Sequence, residues 1–207
     1  MDLNGKAGSW LAKILIALTI IFSLYFAMRK PAYYHAFAYY QLDPSICYPT
    51  NGIAIGDRIT TSKAQLNKLF ENNEYKIGDS AFPEYEGDWA ATAEGRFVTG
   101  GLSFDRMHAA AIGGVLRQVS YDQCFRGIKS VYESNKFFKA LRYAYEKSYG
   151  NGMNTYQAWS EKGEPTEHSF DILIERERYG FGFYCVRVIF SQPGYETTDL
   201  YSGKTYD

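Results

Sequence analysis

The densest group of chemically capable side chains lies between residues 79 and 94. It contains five carboxylates with no basic residue between them: Asp79, Glu84, Glu86, Asp88 and Glu94. Clustered carboxylate oxygens suit a hard cation such as Ca²⁺, but the stretch lacks the twelve-residue calcium-loop pattern. An acidic loop with aromatic side chains equally suits docking of a basic protein. The stretch therefore predicts either a solvated acidic loop or a protein-binding loop, without metal or cofactor, the binding residues being Glu84, Tyr85, Glu86, Asp88 and Trp89.

The histidines offer one further arrangement for acid–base chemistry. His35, His108 and His168 are scattered, and no two of them have metal-ligand spacing. Asp105 lies three residues before His108, so a helix would place both on one face, where the carboxylate would tune the imidazole. The sequence shows no nucleophile beside them, and a plain surface pair is favoured. Sequence signatures of hydrolase elbows, phosphate loops, zinc proteases and redox dithiols are absent, which favours a non-enzymatic role.

The three cysteines leave two interpretations open. Cys124 falls on a predicted helix stripe and Cys185 within a predicted strand, so both are expected to be buried. They are either two thiols or, in an oxidising compartment, one disulfide. Cys47 lies in a predicted loop, as a third partner or a free thiol, and the odd count leaves at least one thiol unpaired within the chain.

The N-terminal segment carries the strongest signal. Residues 10–28 form an apolar run of 19 residues with one charge, Lys13. As a helix this run would extend about 28 Å, close to the hydrocarbon thickness of a bilayer. Aromatic and basic residues suited to the two interfaces frame it. We therefore predict a transmembrane anchor at 10–28, bounded by Trp10, Lys13, Tyr25, Arg29 and Lys30.

A cleaved signal peptide and the orientation of the anchor are separate questions. The nearest Ala-x-Ala, at 36–38, lies ten residues beyond the apolar run, which favours an uncleaved anchor. Basic residues on the two flanks are nearly balanced. The short N-terminal tail favours a cytoplasmic N-terminus, so the C-terminal domain is predicted to be extracytoplasmic, and periplasmic in a bacterium. The expected organisation is a tail at 1–9, the anchor at 10–28, an aromatic juxtamembrane segment at 29–45 and one domain at 46–207.

Composition limits the possible partners. A chain of 207 residues with 46% hydrophobic residues suits one globular domain. Residues 1–30 hold four basic residues and one acidic residue, which leaves the remainder with 18 basic and 22 acidic residues, a net charge of −4. That balance argues against nucleic acid as a partner and against strong adhesion to anionic lipid.

Sequence periodicity predicts three helices after the anchor. Ser62 and Gln65 form a capping-box pattern before an apolar stripe of Leu66, Leu69 and Phe70. A short helix is predicted at 105–112, before Gly113 and Gly114. The longest helix is predicted from an N-cap at Asp122 through Tyr149, with Gly150 as its stop and a basic outer face.

The strands predict the fold class. One or two strands are expected within 74–101, and another from 115 to 121. The last third has the pattern of an antiparallel meander, with strands at 155–160, 169–178 and 181–190. The last of these is apolar on both faces and is predicted to lie inside the sheet. The sequence thus predicts an α+β fold: an N-terminal transmembrane helix, then one small domain with an antiparallel sheet and two or three helices.

These features favour a membrane-anchored extracytoplasmic binding or accessory protein that contacts another envelope protein, an inhibitor or immunity-type protein being one version. The anchor, the lack of catalytic motifs and the 19 tyrosines support it, because Tyr is enriched at interfaces. One alternative is an enzyme acting on an envelope glycan, which would use paired carboxylates. Another is a subunit of a larger membrane complex, whose anchor packs against other helices.

Overall fold

The computed structural model describes residues 10, 12–25, 51–150, 158–160, 169–195, 198–200 and 204–205. The predictions on the 29–45 segment, with Arg29 and Lys30, and on Cys47 lie outside these residues. Residues 12–25 form an exposed helix, α1. Within the described residues, no helix combines the length and the apolarity needed to cross a bilayer. The anchor at 10–28 therefore stays a prediction.

The domain is built on one seven-stranded sheet in which every pairing is antiparallel. Its strands are β1 (Tyr75–Gly78), β2 (Trp89–Thr99), β3 (Leu102–Ile112), β4 (Val115–Arg126), β5 (Ala158–Ser160), β6 (Asp171–Gly180) and β7 (Phe183–Ser191). The spatial order is β1-β2-β3-β4-β7-β6-β5, so two meanders meet where β7 pairs with β4. A short pair follows, β8 (Thr198–Asp199) with β9 (Lys204–Thr205). This confirms the α+β class, the C-terminal meander and the interior position of its last strand.

Two helices cover one face of the sheet. They are α2 (Lys63–Leu69) and α3 (Ser130–Tyr149). The inner side of α3 buries Phe137, Leu141 and Tyr145 against the strands. Edge-on ring contacts join the two layers, with centroids 5.7 Å apart for Phe104 and Phe137. This face is the main hydrophobic core, and the second face of the sheet carries polar residues beside two small apolar clusters.

Helix α2 has the predicted apolar stripe but not the hydrogen bonds of the predicted capping box. Leu66, Leu69 and Phe70 are fully buried. Ser62 is the N-cap residue, yet its hydroxyl makes no capping hydrogen bond to the helix backbone. The side chain of Gln65 instead accepts the backbone N–H of Thr60 at 2.7 Å. The hydrogen bond between Gln65 and Thr60 thus fixes the start of the helix to the extended segment that precedes it.

The helix predicted at 105–112 is wrong, because these residues belong to β3. Alanines at 109, 110 and 111 are buried on alternate faces, so the polar–apolar alternation of a strand disappears. Gly113 and Gly114 both have positive φ angles and form a two-residue turn between β3 and β4. Such turns require φ > 0 at both positions, so the supposed helix stop is a hairpin.

The long helix begins seven residues later than predicted, at Ser130 rather than directly after Asp122. Residues 122–126 complete β4, where Asp122 and Cys124 face partners on β7 that periodicity within the segment cannot reveal. Asp122 is therefore not an N-cap, and Cys124 is not on a helix stripe. The predicted end is confirmed, since the N–H of Gly150 donates to the carbonyl of Glu146 at 3.0 Å.

Candidate functional site

Five charges of alternating sign cross the second face of the sheet. In the strand register, Glu94 pairs with Arg106, Arg106 with Asp122, Asp122 with Arg187, and Arg187 with Glu175. Opposite charges on neighbouring strands stabilise their pairing. We call these five residues the charge row. Its members are up to 93 positions apart in the chain, so only the sheet brings them together.

The strongest contact in the charge row is a buried pair. The Arg187 guanidinium donates two hydrogen bonds to Asp122, from Nε at 2.6 Å and from Nη2 at 2.9 Å. Nη1 of Arg187 lies 3.9 Å from a carboxylate oxygen of Glu175. A forked, charge-assisted pair of this kind fixes both side chains in place. The centre of the sheet therefore holds a rigid polar group.

His108 extends this group to the next strand pair. Its Nε2 lies 3.2 Å from Oδ2 of Asp122, and its Nδ1 lies 2.8 Å from Oγ1 of Thr92. The predicted pair with Asp105 is wrong, because the Asp105 carboxylate accepts the N–H of Cys124 at 3.0 Å and the amide of Gln123 at 2.9 Å. The carboxylate that contacts His108 therefore comes from the neighbouring strand β4.

The surroundings of Asp122 keep its carboxylate ionised. Burial alone raises the pKa of Asp122, but the hydrogen bonds from Arg187 and His108 and the positive charge of Arg187 outweigh burial and hold this pKa well below 3.8. Asp122 is thus negatively charged inside the sheet at physiological pH, and Arg187 is its principal counter-charge.

Thr92, His108 and Asp122 form a chain of hydroxyl, imidazole and carboxylate, the groups used in nucleophilic catalysis. In such a relay the carboxylate stabilises the imidazolium that forms when the hydroxyl loses its proton. Here Arg187 binds the same carboxylate through two hydrogen bonds and balances its charge. The arrangement therefore favours a fixed, ligand-facing polar surface over an activated nucleophile.

A cavity of about 950 Å³ lies over this polar group. Thr92, His108 and Arg187 line it, together with residues of β1 on one side and of β6 on the other. The size falls in the range of small-molecule and peptide-side-chain pockets. A bound group would meet a histidine, a threonine hydroxyl and charges of both signs.

Tyr179 stands where β6 borders the cavity. Partial burial, with the nearby negative charges of Glu177 and Asp122, raises the pKa of Tyr179 to about 12, against the opposing charge of Arg187. Its phenol donates a hydrogen bond to Glu177 and stays protonated at physiological pH. The cavity therefore has an uncharged aromatic wall beside its charged floor.

The predicted acidic binding loop separates into supporting and exposed residues. The Asp88 carboxylate accepts the backbone N–H groups of Glu84, Tyr85 and Gly113 at 2.8–3.1 Å. Trp89 is buried and donates its indole N–H to the Ile59 carbonyl at 3.1 Å. Glu84, Tyr85 and Glu86 point outward, and none of the five lines the cavity. Asp88 and Trp89 hold the loop, and its tip remains the predicted contact.

A disulfide decides between the two interpretations of Cys124 and Cys185, of which Cys185 is buried as predicted and Cys124 is only half-buried. Cys124 on β4 and Cys185 on β7 are bonded register partners, with Cα atoms 4.1 Å apart. This bond adjoins the charge row, one step along the same face from Asp122 and Arg187. Sequence reasoning found both cysteines but needed the register to pair them.

Comparisons with protein-family models, curated proteins and solved structures found no match for this chain. The chemistry of its own cavity and surfaces is thus the basis for inferring what it does.

Proposed function

We propose that this protein is a membrane-anchored, extracytoplasmic binding protein that takes an extended segment of another envelope protein along β1 and into the cavity. The observation that carries this proposal is that the cavity is bordered by an edge strand. Tyr75, Lys76, Ile77 and Gly78, which are the whole of β1, all line it.

The edge strand supplies the backbone half of recognition. In the part of the chain that the structure describes, β1 pairs with β2 alone. An unpaired strand edge presents N–H and C=O groups that another extended chain can complete. Half of the Ile77 side chain is exposed there, which gives the incoming strand an apolar contact.

The cavity supplies the side-chain half. Side chains of an added strand alternate between the two faces of the sheet, so every second one would point toward the cavity. There it would meet Thr92, His108 and Tyr179 together with charged residues of both signs. Such a floor suits a polar side chain that both donates and accepts hydrogen bonds.

The location rests on two independent features. The Cys124–Cys185 disulfide supports an oxidising compartment, where such bonds persist. The apolar run at 10–28 supports attachment to a membrane. The exposed tip at Glu84, Tyr85 and Glu86 remains a second contact for the same partner. A glycan-acting enzyme is less well supported, because backbone amides already occupy the Asp88 carboxylate.

The test compares two exposed apolar residues on neighbouring strands. Ile77 is 49% exposed and lines the cavity, whereas Val98 on β2 is 47% exposed and does not. Tagged full-length protein is purified from membranes in mild detergent, and the partner recovered per mole is quantified. We expect Ile77→Lys to lower recovery at least about tenfold, since a charge at the centre of a strand interface is strongly unfavourable.

The control Val98→Lys is expected to recover the partner at the wild-type level. Equal recovery by both variants would show that the edge of β1 is not the binding surface. Absence of any stoichiometric partner for the wild-type protein would overturn the proposed function itself.

A further inference from the structure

One end of the domain exposes apolar side chains to an unusual degree. Ile128, in the turn between β4 and α3, and Phe181, in the turn between β6 and β7, are 102% and 98% exposed. The N–H of Gly127 donates to the carbonyl of Gly182 at 2.8 Å, so these turns lie side by side. Other exposed large side chains adjoin them. We call the group the apolar tip: Ile128, Val131, Tyr132 and Phe181.

A collar of positive charge surrounds the apolar tip. Four basic side chains lie at the ends of β4 and β6, in the turn before α3 and in the first two turns of α3: Arg126, Arg178, Lys129 and Lys136. Two contact aromatic faces, since the Arg126 guanidinium lies 4.6 Å from the Phe183 ring centroid and Lys136 Nζ lies 5.9 Å from that of Tyr132. Glu133 and Glu177 are the acidic residues of these segments. The local charge is therefore positive, although residues 31–207 carry −4.

We propose that the apolar tip inserts into the surface of a lipid bilayer that contains anionic lipids. Single aliphatic and aromatic side chains that project from two adjacent turns, ringed by Tyr, Lys and Arg, match the chemistry of the membrane interface. The cationic collar complements the phosphate headgroups. The net negative charge of the domain argued against adhesion to anionic lipid. Because salt screens charges beyond about 8 Å, the local positive charge of the collar determines the interaction with the lipid surface instead.

The same chain brings the bilayer within reach. The apolar run ends at residue 28, and the described domain begins at residue 51. The 22 residues between them can span up to about 70 Å when extended. This reach lets the domain turn the apolar tip toward the membrane, where a second attachment would fix its orientation. This reach rests on the membrane anchor of the proposed function, whereas the inference does not depend on the proposed partner at β1.

The test measures contact with lipid at defined positions. Full-length Phe181→Trp protein is reconstituted into vesicles of phosphatidylcholine and phosphatidylglycerol with brominated acyl chains, which quench nearby tryptophan. The signal is the quenching beyond that of the wild-type protein, which has three tryptophans of its own. We expect strong added quenching for Phe181→Trp, and also for Ile128→Trp, which reports from the other turn.

The matched control is Tyr85→Trp. Its loop is held to the turn before β4 by the Asp88–Gly113 hydrogen bond, at the opposite end of a strand about 37 Å long. We expect no added quenching there. Quenching at 181 and 128 that is no greater than at 85 would overturn the proposal. A single protein adduct from a photo-cross-linker at 181, without lipid quenching, would assign the surface to a protein instead.

The anionic-lipid part of the proposal has its own test. Lys129→Gln and Arg178→Gln, each combined with Phe181→Trp, should lower the docked-to-undocked ratio about fivefold per cation removed. The same substitutions should have little effect on vesicles of phosphatidylcholine alone. Equal quenching in neutral and anionic vesicles, unchanged by either substitution, would overturn the requirement for anionic lipid.

Discussion

Arg187 and Arg106 occupy the same charge row but in different surroundings. The side chain of Arg187 is 10% exposed and paired with buried Asp122, whereas that of Arg106 is 37% exposed and paired at 2.8 Å with exposed Glu94. Breaking a buried pair leaves an uncompensated charge, while an exposed pair contributes little because water replaces it. Comparing substitutions of the two arginines therefore shows whether burial or charge is the source of stability.

We expect Arg187→Met to lower the free energy of unfolding by about 3–5 kcal/mol. Arg106→Met, its matched control, should cost less than about 1 kcal/mol. Urea unfolding of both variants followed by circular dichroism gives the comparison. Equal losses for the two would show that the central pair contributes no more than a surface pair does.

The lowered pKa of Asp122 makes a second prediction, on the acid side. Because the folded-state pKa lies below the ordinary 3.8, the stabilisation by this carboxylate is fully present above that pH. It is lost as the pH falls below 3.8 toward the folded-state value. We expect wild-type protein to lose stability over this acid range more steeply than Asp122→Asn. Urea unfolding at a series of pH values tests this, and parallel curves would contradict it.

For individual residues, the sequence indicated which side chains could do chemistry but not which residues they contact. His108 was considered for acid–base chemistry, and it does contact a carboxylate. Spacing within one segment proposed Asp105, whereas the register of β3 and β4 supplies Asp122. Partners for a strand residue come from neighbouring strands, so they depend on pairings that no local period encodes.

Among the elements, the β6–β7 hairpin shows how one turn positions the apolar tip. Gly182 has φ near +66°, and a Cβ there would lie 3.2 Å from the carbonyl oxygen of Gly127. Gly180, two residues earlier, does not have a positive φ, and a Cβ added there would have no neighbouring atom within 4 Å. The two glycines are therefore a natural pair for comparison.

We expect Gly182→Ala to lower the free energy of unfolding by about 1 kcal/mol or more, because alanine is strained at positive φ and the turn must shift. Gly180→Ala should change it by only a few tenths. Thermal unfolding of the two variants measures the difference. If Gly180→Ala were the more damaging change, the conformation given for this turn would be wrong.

Elements were predicted well where alternation or stripes were clean. The helix stripe at Leu66, Leu69 and Phe70 was correct for that reason, and so was the strand predicted from the alternation of Phe170, Ile172 and Ile174. The errors at 105–112 and 122–126 arose where burial on both faces, or a buried charge, removed the expected alternation. Whether such a segment is a helix or a strand depends on what packs against its second face.

Across the whole molecule, the disulfide joins the two meanders at the middle of the sheet. Cys124 belongs to the N-terminal meander and Cys185 to the C-terminal one, and 61 residues separate them. The fold class and the C-terminal meander were predicted from composition and pattern. The order of the strands, which places β7 beside β4, was not, because long-range pairing leaves no local signal.

We expect the Cys124→Ala/Cys185→Ala double variant to lose about 4 kcal/mol of unfolding free energy, from the chain-entropy relation for a loop of this length. Reducing agent should bring the wild-type protein to the same stability and leave the double variant unchanged. Urea unfolding with and without reductant provides the measurement. Wild-type stability that does not respond to full reduction would contradict the expected role of the bond.

The connectivity of this disulfide also sets an order of events during export. If the part of the chain after the anchor crosses the membrane in sequence order, Cys47 and Cys124 reach the oxidising side before Cys185, whose emergence requires 61 further residues. The earliest available pairing is therefore Cys47 with Cys124, which is not the native one. An oxidase alone would trap this pairing, and exchange by an isomerase would be needed to release Cys124. Loss of the isomerase should lower the yield of folded protein, and Cys47→Ser should restore it.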